Sequence, residues 1–172
     1  MRIKTISHIG FNCKDLDTSI HFYCDVLGLT HKFTLTYADL ADCLEQEAKQ
    51  AGKKAPIYAK FMRNRMGSTK WCVYLELAPG NFIELFNLKG ARRPRIPTPK
   101  DLNYTHFALE VEDLKAFRDR ILANGGSEYI ETEPMLSVDN TWQMWMHDPD
   151  GNRFELMEYT PESLQVAGDS IR

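Results

Sequence analysis

The sequence predicts an α+β fold of two tandem β-α-β-β-β modules that form a half-barrel cleft, and three observations predict it. First, His8 and His106 stand 98 positions apart (106 − 8), as do Asp15-Leu16 and Asp113-Leu114, and Gly28 and Gly126. Second, Gly80-Asn81, Glu84 and Leu85 recur as Gly151-Asn152, Glu155 and Leu156 at an offset of 71 (155 − 84). Third, strand-like and helix-like patterns follow one another in the same order in both copies. The offsets differ by 27 (98 − 71), so the first copy carries extra residues between its helix and its last strand. A repeat this long is a duplicated domain half, since solenoid units run only about 20–50 residues.

The elements follow in order. Ile3 to Phe11 reads as a strand. Asp15 or Asp17 caps a helix through Ile20, Tyr23, Val26 and Leu27, an apolar stripe at helical spacing that Gly28 ends. Lys32 to Tyr37 suggests a second strand. Asp39 to Gln50 reads as a helix with Leu40, Leu44 and Ala48 on one face and Gly52 as its stop. That helix and the basic stretch Lys60 to Lys70 make up the extra material, an insertion at about 37–69. Trp71 to Leu77 and Asn81 to Asn87 form a hairpin around Ala78-Pro79-Gly80.

Module 1 thus covers about 1–88, and a linker rich in Pro, Gly and Arg covers 89–102. In module 2, about 103–160, Asn103 to Val111 is a strand and Leu114 to Ala123 a helix ended by Asn124-Gly125-Gly126. Strands are expected at Glu128 to Glu131, Thr141 to His147 and Asn152 to Tyr159. The turn Asp148-Pro149-Asp150-Gly151 joins the last two. The polar tail 161–172 is expected to fray. Helices on one face of each sheet leave the other face free for a cleft.

With 172 residues, 43% hydrophobic and 26% charged, the chain suits one globular domain with a sizeable core. A net charge of −3 argues against nucleic-acid binding, which needs a concentrated basic surface. The one basic cluster, Arg92, Arg93 and Arg95, reads as a solvated linker or as a grip for a carboxylate or phosphate. No apolar run approaches the roughly 20 residues of a membrane span, and none forms a signal-peptide core. Cys13, Cys24, Cys43 and Cys72 include no Cys-x-x-Cys pair and read as reduced core thiols of a cytoplasmic protein.

Strand parity carries the functional reading. Side chains alternate across a strand, so Ile83 and Leu85 face opposite to Glu84, and Phe154 and Leu156 opposite to Glu155. With the apolar residues against the helices, both glutamates turn into the cleft. His8 and His106 hold equivalent positions on their own strands. Two imidazoles and two carboxylates suit a borderline divalent ion: Zn²⁺, Ni²⁺, Co²⁺, Mn²⁺ or Fe²⁺. His21 and His31 lack this repeat support, and His147 is placed to order the turn after it.

The segments around His8, Asp17 to Leu29, Phe82-Ile83-Glu84-Leu85, His106 and Asp148 to Leu156 resemble the vicinal oxygen chelate superfamily, which includes glyoxalases, bleomycin-resistance proteins and extradiol dioxygenases. They most resemble glyoxalase I (lactoylglutathione lyase), over nearly the whole chain except the insertion and the tail. The resemblance implies paired β-α-β-β-β modules and a metal held by His8, Glu84, His106 and Glu155. It also implies a homodimer, with the site built within one chain or between two.

Such a site suits abstraction of a proton next to a carbonyl in a small-molecule substrate, with the ion stabilising the enediolate. Glu155 is the expected base, with Glu84 its symmetry-related alternate. Two positions depart from the glyoxalase I pattern. Asn12 stands where the family's bacterial enzymes carry a glutathione-contacting arginine, and Leu88 where they carry an asparagine. The insertion, with Phe61, Arg63 and Arg65, either closes over the cleft or decorates the outside. The substrate expected is therefore an oxygenated carbonyl compound, not necessarily a glutathione hemithioacetal. Two other readings compete: an Fe²⁺-dependent extradiol-type dioxygenase using two histidines and one carboxylate, and a non-catalytic drug-binding protein of the bleomycin-resistance type.

Overall fold

A computed structural model describes residues 2–89 and 104–168 of the chain. The linker arginines Arg92, Arg93 and Arg95 lie outside the described residues, as do most of the expected linker 89–102 and the end of the tail. The first half runs β1 (His8–Cys13), α1 (Leu16–His21), β2 (Thr30–Thr36), α2 (Tyr37–Gln50), α3 (Ile57–Met66), β3 (Lys70–Ala78) and β4 (Asn81–Asn87). The second runs β5 (Phe107–Glu110), α4 (Leu114–Ala123), β6 (Met135–Leu136), β7 (Trp142–His147), β8 (Arg153–Glu158) and α5 (Leu164–Ala167).

Each half forms a four-stranded mixed sheet, ordered β1-β4-β3-β2 in one and β5-β8-β7-β6 in the other. In each, the first strand runs parallel to the last and the remaining pairs are antiparallel. The two β-α-β-β-β modules therefore share one topology as well as one sequence pattern. Two units result. The first takes in Met1–Ile20 and Leu29–Ala91, the second His21–Gly28 and Arg92–Arg172.

In the first unit Ile83 and Leu85 are fully buried, which matches the parity expected of β4, and Val73 and Leu75 of β3 are buried with them. The insertion is a pair of helices. Thr36 caps α2 in a reciprocal box with Asp39, and Gly52, with φ of 64°, sits just past its end. The basic stretch expected after it is the helix α3. Its Arg63 reaches back to Glu45, with Nη1 2.7 Å from Oε1, and also pairs with Asp42. Backbone bonds from Tyr37 to Thr69 and from Ala38 to Gly67 close the base of the pair. Arg63 thus ties α3 to α2 and is not free to meet a substrate. Residues 3–7, expected to extend β1, form no strand and are exposed.

The second unit has a core of Phe154, Leu156, Met144, Met146 and Ile121, each fully buried. Asp113 caps α4 through Ala116 N, and the helix spans the residues expected from sequence. The segment His21–Gly28 belongs to this unit. After α1 the helix continues as a π-turn, Phe22–Val26, with Leu27 N bonded to Phe22 O at 3.0 Å. The wider turn brings Phe22, Tyr23, Val26 and Leu27 to one side, and all four are buried. Phe22 packs edge-on against Tyr129 and Phe154, with centroids 4.6 and 6.3 Å apart. The Tyr23 hydroxyl donates to the buried Asp148 carboxylate at 3.0 Å.

Two expectations for this unit change. Glu128 to Glu131 is a single 3-10 turn plus an isolated bridge from Ile130 to Met146, and the short edge strand lies later, at Met135–Leu136. The start of the tail is held in place: Ser163 is fully buried, Leu164 N bonds Asp139 O at 2.9 Å, and Thr141 Oγ1 bonds Gln165 Oε1 at 3.0 Å. Thr141, just before β7, has its backbone paired with the Asp139 carboxylate and with Ser137 N, and its hydroxyl meets the tail.

Candidate functional site

In the first unit Gly10 lies opposite Glu84 across the β1–β4 ladder, and His8 lies two residues before it. Two-residue spacing puts His8 on the same face as Glu84. Gly10 leaves room there, since a Cβ at that position would stand 3.3 Å from Glu84 Oε2. In the second unit Ala108 lies opposite Glu155, and His106 again lies two residues earlier. The two halves therefore present one local design in one register.

The distances agree as well. His8 Nε2 is 3.6 Å from Glu84 Oε2, and His106 Nε2 is 3.6 Å from Glu155 Oε2. That separation is long for a hydrogen bond. It is close to the roughly 3.0–3.4 Å expected between neighbouring donors that each lie about 2.1 Å from one ion. Each pair thus fits a two-point grip on a divalent metal. The carboxylates are recessed, with side chains 13% and 11% exposed, and the imidazoles sit further out at 47% and 36%. Among the described residues, no group of three or more His, Cys, Asp or Glu is gathered to hold a metal. Each unit offers its own pair.

The surroundings of the two carboxylates differ. Glu84 is held by two donors from β3. Cys72 Sγ stands 3.6 Å from its Oε1, and the Tyr74 hydroxyl donates to it. The hydrogen bond to Glu84, with lesser burial, pushes the Tyr74 hydroxyl up to about 12. Burial first, and then the Glu84 charge, pushes the Cys72 thiol up to about 12. Both groups therefore keep their protons at neutral pH and remain donors.

At the offset of 71 the second unit has Gln143 and Trp145 in these places. Among the described residues, no side chain donates a hydrogen bond to Glu155. Burial raises its pKa above the ordinary carboxylate value, with His106 and Arg153 opposing the shift. Trp145 packs edge-on against His106 with centroids 4.8 Å apart. The Arg153 guanidinium lies 3.8 Å over the Trp145 ring, and its Nε donates to Glu131 at 2.7 Å. Where the second unit carries Arg153, the first carries Phe82, beside Tyr74 and the Phe33 ring stacked on it at 4.4 Å.

Four flanking residues, Gly10, Ala108, Cys72 and Tyr74, were not singled out from sequence. The repeat offsets alone align Gly10 with Ala108 and Tyr74 with Trp145 and could have drawn them out. On β7, Trp145 accompanies the His–Glu pair. Met144 is buried in the core and Trp142 shares its side of β7. Asn12 and Leu88 are exposed. His21 pairs with Asp25 at 2.6 Å and His31 with Thr34 at 2.9 Å. His147 bonds the Asp148 carbonyl at 3.0 Å and so serves the turn, as its position suggested. None of the four cysteines is joined in a disulfide, but only Cys13 and Cys72 are core residues; Cys24 is half-buried and Cys43 exposed.

Residues 5–156 match the family model described as the glyoxalase/bleomycin resistance protein/dioxygenase superfamily. The chain belongs to that superfamily. Among its relatives, the "Trivalent organoarsenical cleaving enzyme" of a Bacillus species is 24% identical over 163 residues, which cover 92% of this chain and 75% of that protein. The "Probable lactoylglutathione lyase" of a Synechocystis species is 24% identical over 151 residues, 88% of this chain and 92% of that protein. Among solved structures, the lactoylglutathione lyase of Agrobacterium tumefaciens superposes with a TM-score of 0.54 at 17% identity, covering 92% of this chain and 96% of the other. The glyoxalase family protein of Enterococcus faecalis gives 0.60 at 21% identity, covering 92% and 100%. At these identities the structural likeness establishes the glyoxalase fold. Among the described residues, no helix is long and apolar enough to cross a membrane.

Proposed function

We propose that this member of the superfamily is a divalent-metal-dependent lyase or isomerase of glyoxalase I type, acting on a small carbonyl compound in the cytoplasm as a homodimer. The observation that carries the reading is the repeated His–Glu pair: same register, same face and same 3.6 Å separation in both modules. His8, Glu84, His106 and Glu155 would hold the ion. When bound, the ion supplies Lewis-acid polarisation of the substrate carbonyl.

The chain's own residues divide the remaining work. Cys72 and Tyr74 keep Glu84 occupied, which suits it to a fixed role. Glu155 has no such donors and is recessed, which makes it the base that takes the proton from the carbon next to the carbonyl and returns it to the neighbouring carbon. The aromatic ring of Trp145 beside it excludes water from the carboxylate.

The test is metal analysis of the purified protein together with a hemithioacetal isomerisation assay. Bound metal with isomerisation, both lost in His106→Ala and turnover lost in Glu155→Gln, is the expected result. Metal content and turnover indifferent to all four positions would refute the assignment. Metal without hemithioacetal activity would leave the site in place and direct the search to other carbonyl substrates.

The engagement of Glu84 by two donors also favours a second reading. His8, His106 and Glu155 alone make the two-histidine, one-carboxylate set of non-haem iron oxygenases. Substrate-dependent oxygen uptake by the Fe²⁺-loaded protein would select it. The arsenical substrate of the Bacillus relative is not carried over, because thiophilic arsenic calls for available thiolates. Here the cysteine beside a His–Glu pair, Cys72, is buried and holds its proton, while the exposed Cys43 lies on α2.

A further inference from the structure

A cavity lies on the α4 side of the second unit's sheet, on the opposite face from Glu155. Its volume is about 500 Å³, within the usual size range for small-molecule sites. Trp142 lines it together with Leu114 and Pro134. The register pairs Trp142 with Glu158 and Met144 with Leu156, which fixes this side of the sheet. An indole left 41% exposed in a concave, partly apolar setting is not a scattered surface residue.

The charges lining the cavity decide what it would take. Three carboxylates, Asp113, Glu133 and Glu158, face two cations, Lys115 and Arg118. Arg118 is already spent on acids: Nη1 lies 2.9 Å from Asp119 and Nη2 2.8 Å from Glu133. An incoming anion would find only Lys115. Glu158 uses one oxygen to accept from Leu114 N at 2.7 Å, which leaves the other unassigned among the described residues. An electron-rich indole face and surplus carboxylates attract a cation with an apolar body. The buried Arg118 Nε has no partner among the described residues and is a donor for an oxygen on such a molecule.

We propose that this cavity is a second binding site, for an organic cation: a protonated or quaternary amine carried on an aromatic or alkyl body. It does not depend on the reading of the His–Glu pairs. The test uses the full chain and calorimetric titration with benzyltrimethylammonium, with benzenesulfonate as the control of opposite charge. Saturable binding of the cation alone is expected, weakened roughly tenfold by Trp142→Ala through loss of the cation–π contact. Glu158→Gln, which keeps an oxygen for Leu114 N and removes the charge, should weaken it severalfold. Glu155→Gln should leave it unchanged. Equal binding of the sulfonate, no saturation by the cation, or full affinity in Glu158→Gln would overturn the proposal even if Trp142→Ala failed to fold.

Discussion

Replacing Tyr23 with Phe removes one hydroxyl from a fully buried position and leaves the ring packing in place. That hydroxyl donates at 3.0 Å to Asp148 Oδ2, and Asp148 is itself buried. The carboxylate would retain Asn152 N at 2.7 Å and Asn152 Nδ2 at 2.8 Å. A hydrogen bond to a charged group contributes about 1.5–3 kcal/mol, and the two surviving partners place the loss near the lower end, about 1.5–2 kcal/mol. For a chain of this size each kcal/mol lowers Tm by about 2–4 °C, so the expected drop is roughly 3–8 °C.

The sign with pH is fixed by Asp148. Burial raises its pKa above the ordinary value, while the bonds from Asn152 and Tyr23 oppose the shift. A raised carboxyl pKa disfavours the fold as pH climbs from the unfolded value through the folded one, and Tyr23 limits that cost. The substitution should therefore destabilise most at pH 8, where the carboxylate is charged, and least near pH 4, where it binds a proton. Thermal unfolding followed by circular dichroism at both pH values measures this. A drop under about 1 °C at pH 8, or a larger drop at pH 4 than at pH 8, would refute the reasoning.

Three further outcomes are expected. Gly28→Ala should cost about 1–2 kcal/mol in urea unfolding, because Gly28 has a φ of 81° and the new Cβ would also displace the Arg120 guanidinium. Arg63→Ala should speed amide exchange across α2 and α3 and leave β3 and β4 protected, since Arg63 joins the two helices through Asp42 and Glu45. If Glu84 is a metal ligand, Tyr74→Phe should lower metal affinity about 10–100-fold in chelator competition, because a donor that orients the ligand is lost while the ring stack on Phe33 remains.

What could be read from the sequence follows from how local each signal is. The parity of β4 and β8 rests on alternation within one strand, and Ile83, Leu85, Phe154 and Leu156 are all fully buried, as that alternation requires. The helix Leu114–Ala123 was legible because Asp113 and Gly125 bracket it. α3 was not, because Lys60, Arg63 and Arg65 disguise its spacing and its partners Asp42 and Glu45 lie on another helix. The edge strand Met135–Leu136 is too short to show a period. The repeat located both His–Glu pairs, but the inequality of the two carboxylates depends on the neighbouring strand. There the repeat places Cys72 and Tyr74 in one copy against Gln143 and Trp145 in the other.

The chain contributes to the second unit twice, once with His21–Gly28 and again after the linker. Cutting the gene within the linker would consequently not yield two self-sufficient proteins. The downstream fragment would lack Phe22 and Tyr23, leaving Phe154 with Phe107 but without its edge-on partner Phe22, and the buried Asp148 without its phenol donor. Recovering it should require adding back the N-terminal piece in trans. A half-length forerunner of this duplicated chain would have had to borrow the same segment from another copy of itself, so pairing would have preceded the fusion of the halves.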